Sequence, residues 1–153
     1  MAKPAAKPAA TRPVDNVLSA VHVLANLIGE GFAEHLDTAQ GLTVAEWRVM
    51  LTLGREPGLS AAEITGRWAM DKMAVSRAIK RLTNAGLIAR RRNPHDRRSY
   101  QLSLTRAGRA RHQAALPGAT ARYRDFVACL NKSELTALRQ ALAKLIAHAE
   151  TLR

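Results

Sequence analysis

The sequence predicts a mainly α-helical chain carrying one small β-hairpin, and three observations predict it. Apolar residues recur at helical spacing through most of the 153 residues. Two helix-start signatures of the capping-box type occur within twenty residues of each other, at Thr43 to Glu46 and Ser60 to Glu63. Two segments alternate as strands do, 87–92 and 99–105, with the turn-forming run Asn93-Pro94-His95-Asp96-Arg97-Arg98 between them.

The start, residues 1–12, holds Pro4 and Pro8 with Lys3 and Lys7 and reads as a flexible basic arm without an assigned role. From Val14 to Leu36 the apolar residues fall at 14, 17, 18, 21, 24, 25, 28, 32 and 36, the stripe of one long amphipathic helix, with Pro13 suited to its first turn. Thr43 and Glu46 open a second helix, with Leu42 stapled onto Trp47, and it should end near Gly54. After the turn at Glu56-Pro57-Gly58, Ser60 and Glu63 open a short third helix through about Trp68, stapled by Leu59 and Ile64. Asp71 caps a fourth helix whose inner face is Val75, Ala78, Ile79 and Leu82, and Gly86 stops it. Then comes the hairpin. Thr105 caps a fifth helix, which Pro117-Gly118 is expected to kink or divide. Ser133 is expected to cap a sixth, whose apolar positions are 135, 138, 142, 145, 146, 149 and 152.

Charge indicates what this frame meets. The chain carries 24 Lys and Arg against 12 Asp and Glu. Between Arg67 and Arg111 there are thirteen basic residues and only two acids, Asp71 and Asp96. Charge gathered in one third of a chain is the footprint of a polyanion site. An acidic membrane is the weaker partner, because aromatic residues make up only 4% and no stretch of about 20 uncharged apolar residues exists to span a bilayer. The opening residues lack the apolar run of a secretory signal, so a cytoplasmic, nucleoid-associated location is expected. The lone Cys129 cannot form an internal disulfide and reads as a buried thiol.

On the fourth helix, Met73, Ser76, Arg77, Lys80, Arg81 and Asn84 fall opposite the apolar face at 100° per residue. A capped short helix, a cationic helix ending in glycine and a basic-tipped hairpin within about 45 residues make a winged helix-turn-helix. A helix fits the major groove of B-DNA, so donors on that face can meet base edges and phosphates. The candidate DNA contacts are Ser60, Lys72, Met73, Ser76, Arg77, Lys80 and Arg81. The hairpin tip adds Arg97 and Arg98, placed for a neighbouring minor groove, and Asp96, placed to hold an arginine fork. The five histidines show no H-E-x-x-H spacing, and there is no paired cysteine, Gly-rich phosphate loop or G-x-S-x-G elbow, so no enzyme, metal or cofactor is expected. The alternatives are a sequence-blind architectural DNA-binding protein, for which lysine-rich surfaces are expected, and a basic RNA-binding protein, for which stacked aromatics are expected.

At these residues the chain resembles the MarR family of bacterial regulators. The matching stretches are Leu42-Thr43-Val44-Ala45-Glu46-Trp47-Arg48-Val49, Ser76-Arg77-Ala78-Ile79-Lys80-Arg81-Leu82, Gly86-Leu87-Ile88, the wing 93–98, and Leu102-Ser103-Leu104-Thr105-Arg106-Ala107-Gly108. The resemblance implies a homodimer built by the first, fifth and sixth helices, a pseudo-palindromic double-stranded operator met by two recognition helices, and a small molecule that weakens operator binding. Residues 13–38 and 105–153 then form the dimerisation region and 39–104 the DNA-binding domain. Apolar stripes too long for a lone small domain to cover agree with a partner chain. Peroxide-sensing members carry a reactive cysteine near the start of the first helix, and this chain has none there. Other members bind urate, phenolic acids or coenzyme A thioesters of aromatic acids. For an anionic aromatic effector, His22, Asn26, Trp47, Arg48 and Arg109 are the candidates between the first, second and fifth helices. Trp47 also reads as a plain core residue.

Arg98→Ala is expected to weaken operator binding by about 1–3 kcal/mol and to reduce A·T preference beside the site, measured by titrating duplexes that differ only in the flanking tract.

Overall fold

In a computed structural model of the chain, the structure describes residues 16–94 and 99–152. The arm 1–12, Pro13 and the wing residues Asp96, Arg97 and Arg98 lie outside the described residues. The elements run α1 (Val17–Gln40), α2 (Val44–Arg55), α3 (Ala61–Trp68), α4 (Lys72–Asn84), β1 (Ile88–Arg92), β2 (Tyr100–Leu104), α5 (Arg106–Val127) and α6 (Lys132–Thr151).

The helix starts follow local chemistry. Both capping boxes form: Glu46 N–H donates to Thr43 Oγ1 while Thr43 N–H donates to Glu46 Oε2, and Ser60 and Glu63 exchange the same pair. Asp71 Oδ1 accepts from Ala74 N–H, and Thr105 Oγ1 accepts from Gly108 N–H. Helix α1 starts behind Asn16, whose Oδ1 accepts from Ser19 N–H, three residues later than the Pro13 reading placed it. One expectation fails, and one half of another. The cap of α6 is Asn131, not Ser133, because Glu134 stands three residues after Asn131 and closes a box with it, whereas Ser133 has only Thr136 at that spacing. Pro117 does not divide α5, which runs as one helix of 22 residues. The missing N–H removes one ladder bond, and burial of Ala115 and Ala119 on the flanking turns holds the helix together across it.

The core sits around α2, seven of whose twelve residues are buried. Trp47, Val49, Met50 and Leu53 meet Phe32 and Leu36 of α1, Ile64 of α3, the Val75, Ala78, Ile79 and Leu82 face of α4, and Ile88, Leu102 and Leu104 of the hairpin. Thr52 is buried yet satisfied: its hydroxyl donates to Arg48 O and accepts from the Trp68 indole N–H, both at 2.8 Å. The hairpin is antiparallel, with Ile88 opposite Leu104 and Arg92 opposite Tyr100. Leu59 adds a bridge to Leu102, so the loop before α3 joins the edge of β2.

The hairpin base is bolted to α5 through Thr105. Its N–H donates to Leu87 O and its hydroxyl to Gly86 O at 2.7 Å. Gly108 lies so close to the Leu87 carbonyl that a Cβ there would overlap backbone, which accounts for glycine at the end of the Leu104-Thr105-Arg106-Ala107-Gly108 run.

Helix α5 also presses His112 onto α2. The imidazole lies over Gly54 and stacks on Trp47 with centroids 5.6 Å apart. Burial, followed by the nearby Arg55 charge, holds its pKa below the ordinary value of 6.5. The native state therefore favours neutral imidazole, and the unfolded chain binds the extra proton first as pH falls. This contribution is full above 6.5 and is lost as pH drops from there through the lowered native value. The urea midpoint should fall more between pH 7 and pH 5 for the parent than for His112→Phe, a contrast that equilibrium unfolding at the two pH values measures.

Candidate nucleic-acid interface

Helix α4 is amphipathic in the most literal way. Val75, Ala78, Ile79 and Leu82 are buried, while Lys72, Met73, Ser76, Arg77, Lys80, Arg81 and Asn84 are exposed. The acid nearest its start, Asp71, is used as the cap, the helix itself contains no acid, and among the described residues Arg81 alone of its cations has an ion-pair partner. Gly86 takes φ +70°, a left-handed conformation that ends the helix and lets Leu87 N–H donate back to Leu82 O. The chain then enters β1 directly, which fixes the hairpin beside α4.

Six of the seven predicted contacts that fall on described residues share this face: Lys72, Met73, Ser76, Arg77, Lys80 and Arg81. Met73 is 60% exposed, an apolar tip among cations, suited to van der Waals contact with a thymine methyl group. Ser60 stands apart from them. Its hydroxyl donates to Glu63 Oε2 at 2.7 Å, and its N–H and hydroxyl together hold the Glu63 carboxyl below the usual carboxylate range.

Ser60 lines a concave surface of about 610 Å³ between the start of α3 and the hairpin, with Arg90, Asn93, Tyr100 and Gln101 on the opposite wall. On that wall the Arg90 guanidinium lies 4.4 Å from the centre of the Tyr100 ring. Sequence reasoning left Arg90 and Tyr100 out of the site. The signal was in the strand alternation, since positions 88, 90 and 92 share a face with 100, 102 and 104. That face is apolar at the base, where Ile88, Leu102 and Leu104 are buried, and cationic toward the tip.

A second omission lies under α4. Glu46, counted only as a cap, also receives Arg81: Arg81 Nε sits 2.9 Å from Glu46 Oε1, with the glutamate side chain 4% and the arginine 66% exposed.

The five residues proposed to hold an effector are engaged separately. His22 Nδ1 is 2.9 Å from Leu18 O on the same exposed face of α1, where Asn26 also lies. Trp47 is 1% exposed and sealed in the core, so its ring offers no free face. Arg48 lies 5.2 Å from the Trp68 ring centre, on the α3 side of α2. Arg109 donates from Nη1 to Leu104 O at 2.8 Å, bracing the junction of β2 and α5. Cys129 is exposed at the turn between α5 and α6, not buried as its apolar neighbours suggested.

A buttressed helix with a cationic outward face, followed by a hairpin that rises beside it from the same core, defines a winged helix-turn-helix, a DNA-binding class of fold. The comparisons are in accord. A sequence model of the MarR family matches residues 40–99. The transcriptional repressor MdtR of Bacillus subtilis is 34% identical over 112 residues, covering 73% of this chain and 72% of its own. Among solved structures, a MarR/EmrR family transcriptional regulator from Acinetobacter sp. ADP1 superposes with a TM-score of 0.81 at 25% identity, covering 88% of this chain and 94% of that one. BpsR of Bordetella bronchiseptica, whose DNA binding is regulated by 6-hydroxynicotinic acid, superposes at 0.69 with 26% identity over 82% and 98%. The chain belongs to the MarR family, and it is a DNA-binding transcriptional regulator rather than an enzyme.

Arg77→Ala should relax base preference at one position of the bound site, at a cost of about 1–3 kcal/mol if the guanidinium meets a base edge. Competition binding against a panel of single-base variants reads this directly, and a uniform loss across the panel would reassign Arg77 to a phosphate.

Proposed function

We propose that the protein is a homodimeric repressor that binds a pseudo-palindromic operator and leaves it when a small effector binds. The observation that carries the reading is the uncovered apolar face shared by α1 and α6. No residue of α6 is buried within the chain, and Leu138, Leu145, Ile146 and Leu152 stand exposed, as do Val17, Leu18, Val21 and Leu24 of α1. Between the two helices lies an apolar hollow of about 350 Å³, lined by Leu18, Val21, Leu142, Leu145, Ile146 and Leu152 among others. An apolar surface of this extent on a monomer marks an interface. A two-fold partner supplies matching faces and sets two copies of α4 against one duplex. Residues 13–38 and 105–153 are thus read as the dimerisation region and 39–104 as the DNA-binding domain.

Repression and effector release rest on the relatives: MdtR is a repressor, and BpsR answers to a small aromatic acid. Release requires the effector to bind best to a dimer whose two α4 helices are wrongly set for successive major grooves about 34 Å apart, because equal affinity for both states shifts nothing. Of the five effector candidates, His22 and Asn26, which share an exposed face of α1, are retained as contacts, and Arg48 is turned away to Trp68. Trp47 and Arg109 are assigned to the fold, since one is sealed and the other braces the hairpin.

Fluorescence anisotropy with the DNA upstream of the protein's own gene and a scrambled duplex tests the operator reading. Preference of at least about 10³-fold, with two chains per site, is expected. Equal binding to both, collapsing with salt, would instead leave a general phosphate grip. Ending the chain at Lys132 removes α6 and should leave a monomer by sedimentation. A truncated chain that still dimerises would overturn the assignment of α6 to the interface.

A further inference from the structure

We propose that Arg81 is a DNA-phosphate clamp held in place by Glu46, which makes Glu46, on another helix and out of reach of DNA, a positioning residue for DNA binding. The inference rests on the operator-binding reading above and names the part of that surface that grips backbone.

The carboxylate is fixed before it meets the arginine. Glu46 is 3% exposed. Its Oε2 closes the capping box by accepting Thr43 N–H at 2.8 Å, so turning the group away breaks that half of the box. The other oxygen, Oε1, is thereby presented at one point, and Arg81 Nε meets it at 2.9 Å. A guanidinium engaged through Nε keeps its two terminal nitrogens for another partner, and this side chain remains 66% exposed. Its fork is ordered in advance, which removes part of the entropy cost that a free arginine meets on binding.

The position selects phosphate over base. Recognition helices present their N-terminal residues to base edges, whereas Arg81 lies in the last turn of α4. There it borders a depression of about 260 Å³ between the start of α2 and α4, whose walls are Thr43, Ala45, Ala74, Arg77, Ala78 and Arg81. Three of those six are alanines, which leave room for a bulky anion, and two are arginines. A backbone phosphate at the groove margin fits that chemistry.

The test turns on a sign. Glu46→Gln keeps an oxygen for Thr43 N–H but releases Arg81, and it also raises the net charge by one. If Arg81 merely neutralised Glu46, the variant would bind any duplex as tightly as the parent or more tightly. The clamp predicts several-fold weaker binding, equal for the upstream duplex and a mixed-sequence duplex, by anisotropy at two salt concentrations. Arg81→Gln should weaken both duplexes uniformly and lower the salt slope by about 1, and Glu46→Gln should then add nothing to it. Arg81→Lys keeps the charge without the planar fork and should also weaken both, so the test stands even if Glu46→Gln does not fold. Unchanged or tighter binding by Glu46→Gln overturns the clamp, as does further loss in the Arg81→Gln background. Loss confined to the upstream duplex overturns it too, because it would make Arg81 a base reader. A parent protein that binds neither duplex would instead remove the DNA reading itself.

Discussion

Among the described residues, the candidate DNA-facing surface stands on one nearly engulfed helix. Helix α2 buries Glu46, Trp47, Val49, Met50, Leu51, Thr52 and Leu53, a run that leaves almost no face to solvent, so the neighbouring elements must pack around it. A helix buried on all sides tolerates polar atoms only where they are paired. Thr52 is paired with Arg48 O and the Trp68 indole, and Glu46 with Thr43 and Arg81, while the Trp47 indole N–H is buried without a hydrogen-bond acceptor among the described residues. Two of these pairings, Trp68 on Thr52 and Arg81 on Glu46, join a fixed atom of α2 to a named atom of α3 and of α4 and so help to set the orientations of those helices. A close-packed interior of this kind transmits a displacement rather than absorbing it.

Two routes lead from this platform to the rest of the chain. One passes through the hairpin, whose base is tied by Thr105 and Arg109 to the first turn of α5. The other is the stack of His112 on Trp47, which sets the next turn and a half of α5 against α2. Helix α4, the two strands and α5 are therefore linked through one core. A shift of α5 relative to α2 cannot occur without disturbing either the hairpin base or the Trp47 stack. Farther along α5, Phe32 of α1 stacks on Phe126 at 5.7 Å and meets Tyr123 in a tilted contact at 4.5 Å between centroids, so that α1 is packed on the same helix. In contrast, α6 contributes no buried residue to the core of its own chain and leaves its apolar stripe exposed beside α1.

Charge is laid over this scaffold with little overlap. The cations of α4 lie where packing is absent, and its apolar residues lie where packing is dense, so the same helix serves both ends without a compromise at any position. Arg81 is the exception, tied inward through Nε and open outward, and it marks the point where the mechanical frame and the charged surface meet.

The sequence by itself determined every feature whose partners lie within about one helical turn. The Thr43–Glu46 and Ser60–Glu63 boxes, the Asp71 and Thr105 caps, the stop at Gly86 and the two faces of α4 are of this kind, and the MarR resemblance of residues 42–49, 76–82, 86–88, 93–98 and 102–108 rests on the same short-range pattern. Even there the signal had to be read in full: Asn131 outranks Ser133 as the cap of α6 only once Glu134 is counted. What tertiary structure alone decided are pairings between residues distant in sequence, whose separations depend on how helices pack. Arg81 on Glu46, Arg48 on Trp68, His112 on Trp47, Leu59 beside Leu102 and the passage of α5 through Pro117 are of that second kind. The spacing of residues along one helix is set by the backbone, whereas the distance between two helices is set by the volumes of all the side chains between them, and no single segment contains that information.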